Sequence, residues 1–196
     1  MTVGPARCWW SDTAGAQADP RMVAYHDDEW GAPCHDDVEL FERLALESFQ
    51  AGLSWSTILK KRGAFREAFR GFDPHSVAGF DDTDRARLMT DAGIVRNRAK
   101  IDATIGNAAA LLATAGEFGS FDAYLATMVP PPPPRLPASA TNADVPATTP
   151  ASDALSADLR RRGFRFVGST IVYAFMQSVG LVDDHVPGCF RYGVTR

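Results

Sequence analysis

A chain of 196 residues can enclose a sizeable core as one domain or two small lobes. Its formal net charge is −4, from 20 basic and 24 acidic residues, which argues against indiscriminate coating of nucleic acid. A local basic face remains open at Lys60-Lys61-Arg62, Arg96/Arg98/Lys100 and Arg160-Arg161-Arg162/Arg165. No apolar run approaches the roughly 18 residues of a membrane span, and the N-terminus lacks the pattern of a secretory signal. The three cysteines (8, 34 and 189) make no disulfide framework, so a reducing cytoplasm is the expected compartment.

Helix dominates the local pattern. Asp36 and Glu39 give a capping-box-like start to a helix over 37–51, with Leu40, Leu44 and Ala51 on one stripe. A second helix over 54–69 is stopped by Gly71 and Pro74. Helices follow over 82–92, ending at Gly93, and over 96–115, ending at Gly116. Residues 130–134 are five consecutive prolines, and a Pro/Ala/Thr-rich stretch continues to Pro150. Polyproline II with no core to bury is expected there, as a surface connection or a docking site for a proline-binding partner. Ser152 reads as the N-cap of a helix over 153–162, and a last helix covers 169–179 before Gly180. No alternating strand pattern intervenes, and the fold class is all-α.

Three features carry chemistry. Cys8 and His26 near one end, with His185 and Cys189 near the other, are the ligand types of a closed tetrahedral zinc site; the same residues also suit plain buried thiols and a core imidazole. Glu47, three residues after Leu44 and seven after Leu40, falls on the apolar stripe of its helix. A carboxylate aimed at a core is costly unless paired or working. Trp9, Trp10, Tyr25, Trp30, Phe49 and Trp55 crowd the neighbouring sequence, so Glu47 either faces an aromatic pocket for a flat, electron-poor ring or reaches solvent at the helix edge. Finally, Gly163 and Gly168 flank a short connection between two helices, a tight hairpin whose amides could hold one phosphate.

Taken together, the motifs resemble a known family. Arg7-Cys8-Trp9-Trp10, the run from Ala24 to Gly31, Glu47 with the run from Gln50 to Trp55, Phe72-Asp73-Pro74, the run from Asp91 to Arg96, the run from Ser152 to Ser156, and Asp184-His185-Val186 are similar to DNA-3-methyladenine glycosylase I, in order and over nearly the whole chain. The resemblance implies the helix-hairpin-helix glycosylase fold, with two helical lobes and one structural zinc on Cys8, His26, His185 and Cys189 joining the terminal segments. It implies one glycosylase unit over 1–196, with the helix-hairpin-helix at about 153–179 and the proline-rich loop at about 130–150. The implied partner is duplex DNA carrying alkylated bases, and nothing demands more than a monomer.

The implied activity is base excision repair. The lesion is flipped out, N3-methyladenine is released by water attack, and an abasic site remains. Tyr25 and Trp55 would stack on the base, Glu47 would accept from its amino edge, and Trp10 and Trp30 would shape the pocket. Leu53, with Gln50, would fill the gap in the duplex. Gly163, Arg165, Gly168 and Ser169 would contact DNA. The proline run departs from the family pattern with no catalytic consequence expected, and Cys34-His35 fall outside its ligand set. Two other readings stand beside this one: a glycosylase for other lesions centred on Asp183, and a zinc-stapled DNA-binding module without catalysis. Ser169 and Thr170, not a lysine, follow the second hairpin glycine, so no Schiff base and no strand cleavage are expected.

Overall fold

The computed structural model describes residues 5–11 and 19–194. The very start of the chain, where a secretory signal would begin, lies outside the described residues. Helices α1 (Pro20–Ala24), α2 (Asp37–Gln50), α3 (Trp55–Ala68), α4 (Pro74–Ala78), α5 (Asp82–Thr90), α6 (Arg98–Phe118), α7 (Phe121–Met128), α8 (Pro150–Arg161) and α9 (Ser169–Ser178) follow one another, with a π-helical turn at Tyr25–Glu29. Among the described residues no strand forms; the one extended pairing is an isolated bridge between Arg135 and Asp183. None of the described helices is long and apolar enough to cross a membrane.

Side-chain caps explain most helix starts. Asp36 accepts from the Glu39 amide at 2.9 Å, Ser54 from Thr57 at 3.3 Å, and Asn97 from Lys100 at 3.2 Å. Most boundaries lie within two residues of the sequence expectation, and two differ by three. Helix α6 runs through Gly116 and stops at Gly119, where φ reaches 93°; an interior glycine costs only about 1 kcal/mol, whereas the stop needs the left-handed conformation. Helix α8 is capped by Thr149, not Ser152. Ser152 is the third helical residue of a reciprocal capping box, with its hydroxyl accepting from the Thr149 amide at 2.8 Å. Helices α1, α4 and α7 lack the long apolar period that reveals a helix in sequence.

Helix α2 is the axis of the molecule. Every residue from Leu40 to Phe49 is buried, including Glu42, Arg43, Glu47 and Ser48. Its apolar residues join Phe65, Phe69, Phe72, Phe121, Phe164 and Phe175 in the main core. Glu42 is neutralised in place by Arg62 at 2.6 Å and Arg66 at 2.9 Å. A smaller apolar cluster contains Cys8, Tyr25, Trp30, Leu59, Leu136, Val186 and Cys189, and Trp55 packs against both clusters. Leu136 corrects the expectation for the proline-rich loop. That loop does bury side chains, and its path is pinned by the Asp183 amide to the Pro134 carbonyl at 2.9 Å and by the Tyr192 hydroxyl to the Leu136 carbonyl at 2.9 Å.

Candidate functional site

A cavity of about 330 Å³ opens where α1, the π-helical turn, α2, α3 and α9 converge. Trp10, Tyr25, Trp30, Glu47, Gln50 and Trp55, all singled out from sequence, line it together. Trp9, named with them among the aromatics, joins the lining, and the tertiary structure adds Met22, Val145, Pro146, Ala174 and Gln177. Val145 and Pro146 come from the end of the proline-rich loop, which therefore walls the cavity. Their composition carried no signal for this, because a wall contributed from about a hundred residues away leaves no local pattern.

The π-helical turn puts Tyr25 and His26 on the buried side of the same short segment, and the Trp30 amide closes it on the Tyr25 carbonyl at 2.8 Å. Tyr25 and Trp55 stand 5.1 Å apart between centroids at 49°. That is less than the roughly 7 Å two stacking gaps require, so each ring offers one face and the pair is not a ready slot. Trp10 meets Trp30 edge-on at 5.0 Å behind them.

Glu47 is 5 % exposed and accepts no hydrogen bond from the described residues. Burial pushes its carboxyl up to about 8, against the opposing pull of Arg43. The Trp55 indole Nε1 is likewise buried with no acceptor among the described residues. One acceptor and one donor with no partner among the described residues, beside five aromatic side chains, suit a flat heterocycle with hydrogen-bonding edges.

The metal-ligand types meet behind the aromatic wall. The ligand atoms of Cys8, His26 and Cys189 all lie within 4.8 Å of one another and are buried, so this group could hold a metal. His26 Nε2 is 3.4 Å from the Cys189 sulfur, while its Nδ1 is held by Asp27 at 2.8 Å. The Cys8 thiol donates to Cys189, which raises its own pKa and lowers that of Cys189, so the pair favours one thiolate. His185 stands just outside this group, its ring 5.3 Å from that of His26. Its Nδ1 is held by Asp183 at 3.1 Å and its buried Nε2 has no partner among the described residues, the state expected of an imidazole ready to ligate. Gly31, at φ 74°, makes room for that ring: a Cβ there would lie 2.7 Å from His185 Cε1. Cys34 sits instead in the main core, and His35 bonds Asp122 at 3.1 Å.

Asp183 faces away from the aromatic cavity. Paired with Arg135 at 2.7 Å and with His185, it lines another cavity of about 320 Å³. The carboxylates of that second cavity are already engaged, Asp122 by His35 and Asp183 by Arg135. An Asp183-centred reaction on a base held against Glu47 has no geometric support.

The α8–α9 hairpin turns at Gly163, φ 93°, and runs to Gly168, the N-cap of α9. Its carbonyls are turned inward by side chains from three helices. Asn107 of α6 donates to the Arg165 carbonyl at 2.9 Å and accepts from its amide at 2.8 Å. Ser48 of α2 holds the Phe166 carbonyl at 3.0 Å, and Ser156 of α8 holds that of Val167 at 2.7 Å. The amides of Phe166, Val167, Gly168 and Ser169 find no acceptor among the described residues. The Ser169 hydroxyl is already committed to Ser152 and Asp153, so only its amide is available.

Part of the basic face is engaged within the protein, while Lys60, Arg96, Arg98, Arg160 and Arg161 stay exposed. Arg162 pairs with Glu117 and Asp158, Lys61 donates to the Ala92 and Gly93 carbonyls, and Lys100 is buried. Arg165 stays exposed beside the hairpin without an ion-pair partner among the described residues. Leu53, on the turn between α2 and α3, is 42 % exposed.

Comparison with known proteins agrees with this geometry. A family model described as methyladenine glycosylase matches residues 15–192. The chain is 48 % identical to DNA-3-methyladenine glycosylase 1 of Escherichia coli, covering 95 % of this chain and 96 % of that protein. It is 44 % identical to DNA-3-methyladenine glycosylase of Haemophilus influenzae, covering 93 % and 96 %. A crystal structure of 3-methyladenine DNA glycosylase I superposes with a TM-score of 0.89 at 46 % identity, covering 95 % of this chain and 100 % of that one. The Staphylococcus aureus enzyme, whose structure addresses 3-methyladenine recognition, superposes with a TM-score of 0.88 at 37 % identity, covering 96 % and 100 %. With a matching model over nearly its full length and relatives this similar, the chain belongs to the methyladenine glycosylase family.

Proposed function

We propose that this chain excises N3-methyladenine from alkylated duplex DNA, releasing the base by hydrolysis. The observation that carries the reading is Glu47, a buried carboxyl without a hydrogen-bond partner among the described residues, lining a cavity with five aromatic side chains. Methylation at N3 makes the purine in DNA cationic. A ring of that kind stacks favourably on the faces of Tyr25 and Trp55 and donates from its amino edge to Glu47. Unmodified adenine brings no charge to offset the cost of an ionised Glu47 in this buried place, so the pocket discriminates by charge as well as by shape.

Little further machinery is required. As the C1′–N9 bond breaks, its electron pair neutralises the departing base. Water adds to C1′ and loses a proton, leaving an abasic sugar. The protein contributes extrusion, orientation and a dry pocket. Leu53, with Gln50 beside it, fills the space left in the stack. The free amides from Phe166 to Ser169, with Arg165 exposed nearby, grip a backbone phosphate at the positive end of α9.

The metal of the Cys8–His26–Cys189 group is zinc in this reading, with His185 as fourth ligand. Zinc would staple the two terminal segments together and take no part in the chemistry. The direct test is incubation with methylated duplex DNA and chromatographic identification of the free base. Release of 3-methyladenine is expected, and a protein that binds such DNA without releasing any base would be the non-catalytic module instead.

A further inference from the structure

Lys100 is a buried cation that the chemistry above does not use. It lies in the first turn of α6, is 7 % exposed, and burial lowers its pKa. Its ammonium donates to the Phe49 carbonyl at 2.9 Å and to the Ala51 carbonyl at 2.7 Å. Both carbonyls are at the end of α2, where the helix dipole favours a positive charge. They flank Gln50, whose side chain lines the aromatic cavity. Beyond them the chain reverses sharply: Gly52 takes φ 83°, the Leu53 amide bonds the Gln50 carbonyl at 2.6 Å, and Ser54 caps α3. Among the described residues, Lys100 is the side chain outside α2 and α3 that hydrogen-bonds to this turn. One ammonium on another helix therefore ties this turn to α6.

We infer that Lys100 is a positioning residue for base extrusion: it holds the Gln50–Leu53 turn so that Leu53 is presented rigidly to the duplex. This rests on the glycosylase reading, with Leu53 entering the stack. A turn free to move would have to be ordered each time a base pair is opened, and a turn held in advance is already ordered. Since the ammonium does not line the cavity, its role belongs to opening the duplex and not to holding the base.

The experiment measures three quantities in Lys100→Met, Lys100→Arg and Leu53→Ala: affinity for free 3-methyladenine, single-turnover excision from duplex methylated DNA, and excision from single-stranded methylated DNA. In Lys100→Met the ratio of duplex to single-strand excision should fall by roughly tenfold or more, with free-base affinity retained, since a small misplacement of a positioned group can cost a hundredfold. Leu53→Ala should give the same pattern. Lys100→Arg, which keeps the charge and shifts the donors, should show a smaller loss confined to the duplex, and it keeps the test decisive if Lys100→Met does not fold. An unchanged ratio in both Lys100 variants alongside a lowered one in Leu53→Ala overturns the inference alone. An unchanged ratio in Leu53→Ala removes the inserted-leucine reading and the inference with it. No base release by the unaltered protein removes the glycosylase reading itself.

Discussion

Arg43 stands one helical turn before Glu47 on α2, yet its guanidinium turns away from that carboxyl. It donates to the Ser178 and Glu29 carbonyls and to the Glu39 carboxylate. The nearest buried cation on the same helix thus locks α2 to α9 and to the π-helical turn. Glu47 feels its field without being neutralised by it.

This arrangement predicts an unusual pH dependence. The Glu47 carboxyl, pushed up to about 8 from an ordinary value of 4.5, favours its protonated form in the fold. Its contribution to stability is full below about 4.5 and is lost as pH rises towards 8, by roughly 1.4 kcal/mol per unit at most. Glu47→Gln has no such titration. Denaturant unfolding of both proteins from pH 5 to 8 should show the variant gaining on the parent as pH rises; parallel curves would contradict the assignment.

For activity, Glu47→Gln preserves shape and removes the charge. Loss of a charge-assisted hydrogen bond of about 1.5–3 kcal/mol corresponds to a fall in 3-methyladenine excision of roughly 10- to 100-fold. Circular dichroism should show the fold retained. A normal single-turnover rate in the variant would mean that Glu47 does not read the base edge.

Metal content tests the four-ligand set. Purified protein should carry about one equivalent of zinc. His185→Ala and Cys189→Ala should lower both zinc content and melting temperature, whereas Cys34→Ser should leave zinc content as it was. Retention of a full equivalent in His185→Ala would reduce the set to Cys8, His26 and Cys189.

Asn107 offers a probe of the hairpin that touches no DNA. Asn107→Ala strips both hydrogen bonds from Arg165, and an unpaired buried group costs about 1–3 kcal/mol. Affinity for duplex should weaken in titrations, while affinity for free 3-methyladenine holds. In the unaltered protein, log affinity should fall linearly with log salt, and a flat response would exclude phosphate contacts as the main interaction.

Strand cleavage is not expected. No lysine lines the aromatic cavity, and Lys100 is buried against backbone carbonyls. Borohydride should trap no adduct on methylated duplex. A trapped band, lost on replacing one lysine, would establish a Schiff-base route instead.

Local physics explains which features were legible in advance. Asp36 as a cap, the apolar stripe on which Glu47 falls, and the stop at Gly180 depend on neighbours within a few residues, and the structure repeats them. Short helices such as α4 and α7 escaped because five or eight residues hold too little of the helical period to stand out. The basic clusters were legible only in part, for a different reason. Whether Arg162 or Lys100 is available to a phosphate depends on which carboxylate or carbonyl lies opposite, and those partners are 45 and 51 residues away.

The residue order by itself determined an all-helical chain, the place of Glu47 on the apolar stripe of its helix and the ligand types at the two ends, since periodicity, capping and side-chain type are properties of short segments. Only the tertiary structure decided that Val145 and Pro146 wall the cavity, that Asn107 turns the hairpin carbonyls inward, and that Asp183 supports His185 in place of facing a substrate. Each of those outcomes depends on segments far apart in the chain meeting in space, and burial and hydrogen-bond pairing act on that meeting, not on the order of residues along the backbone.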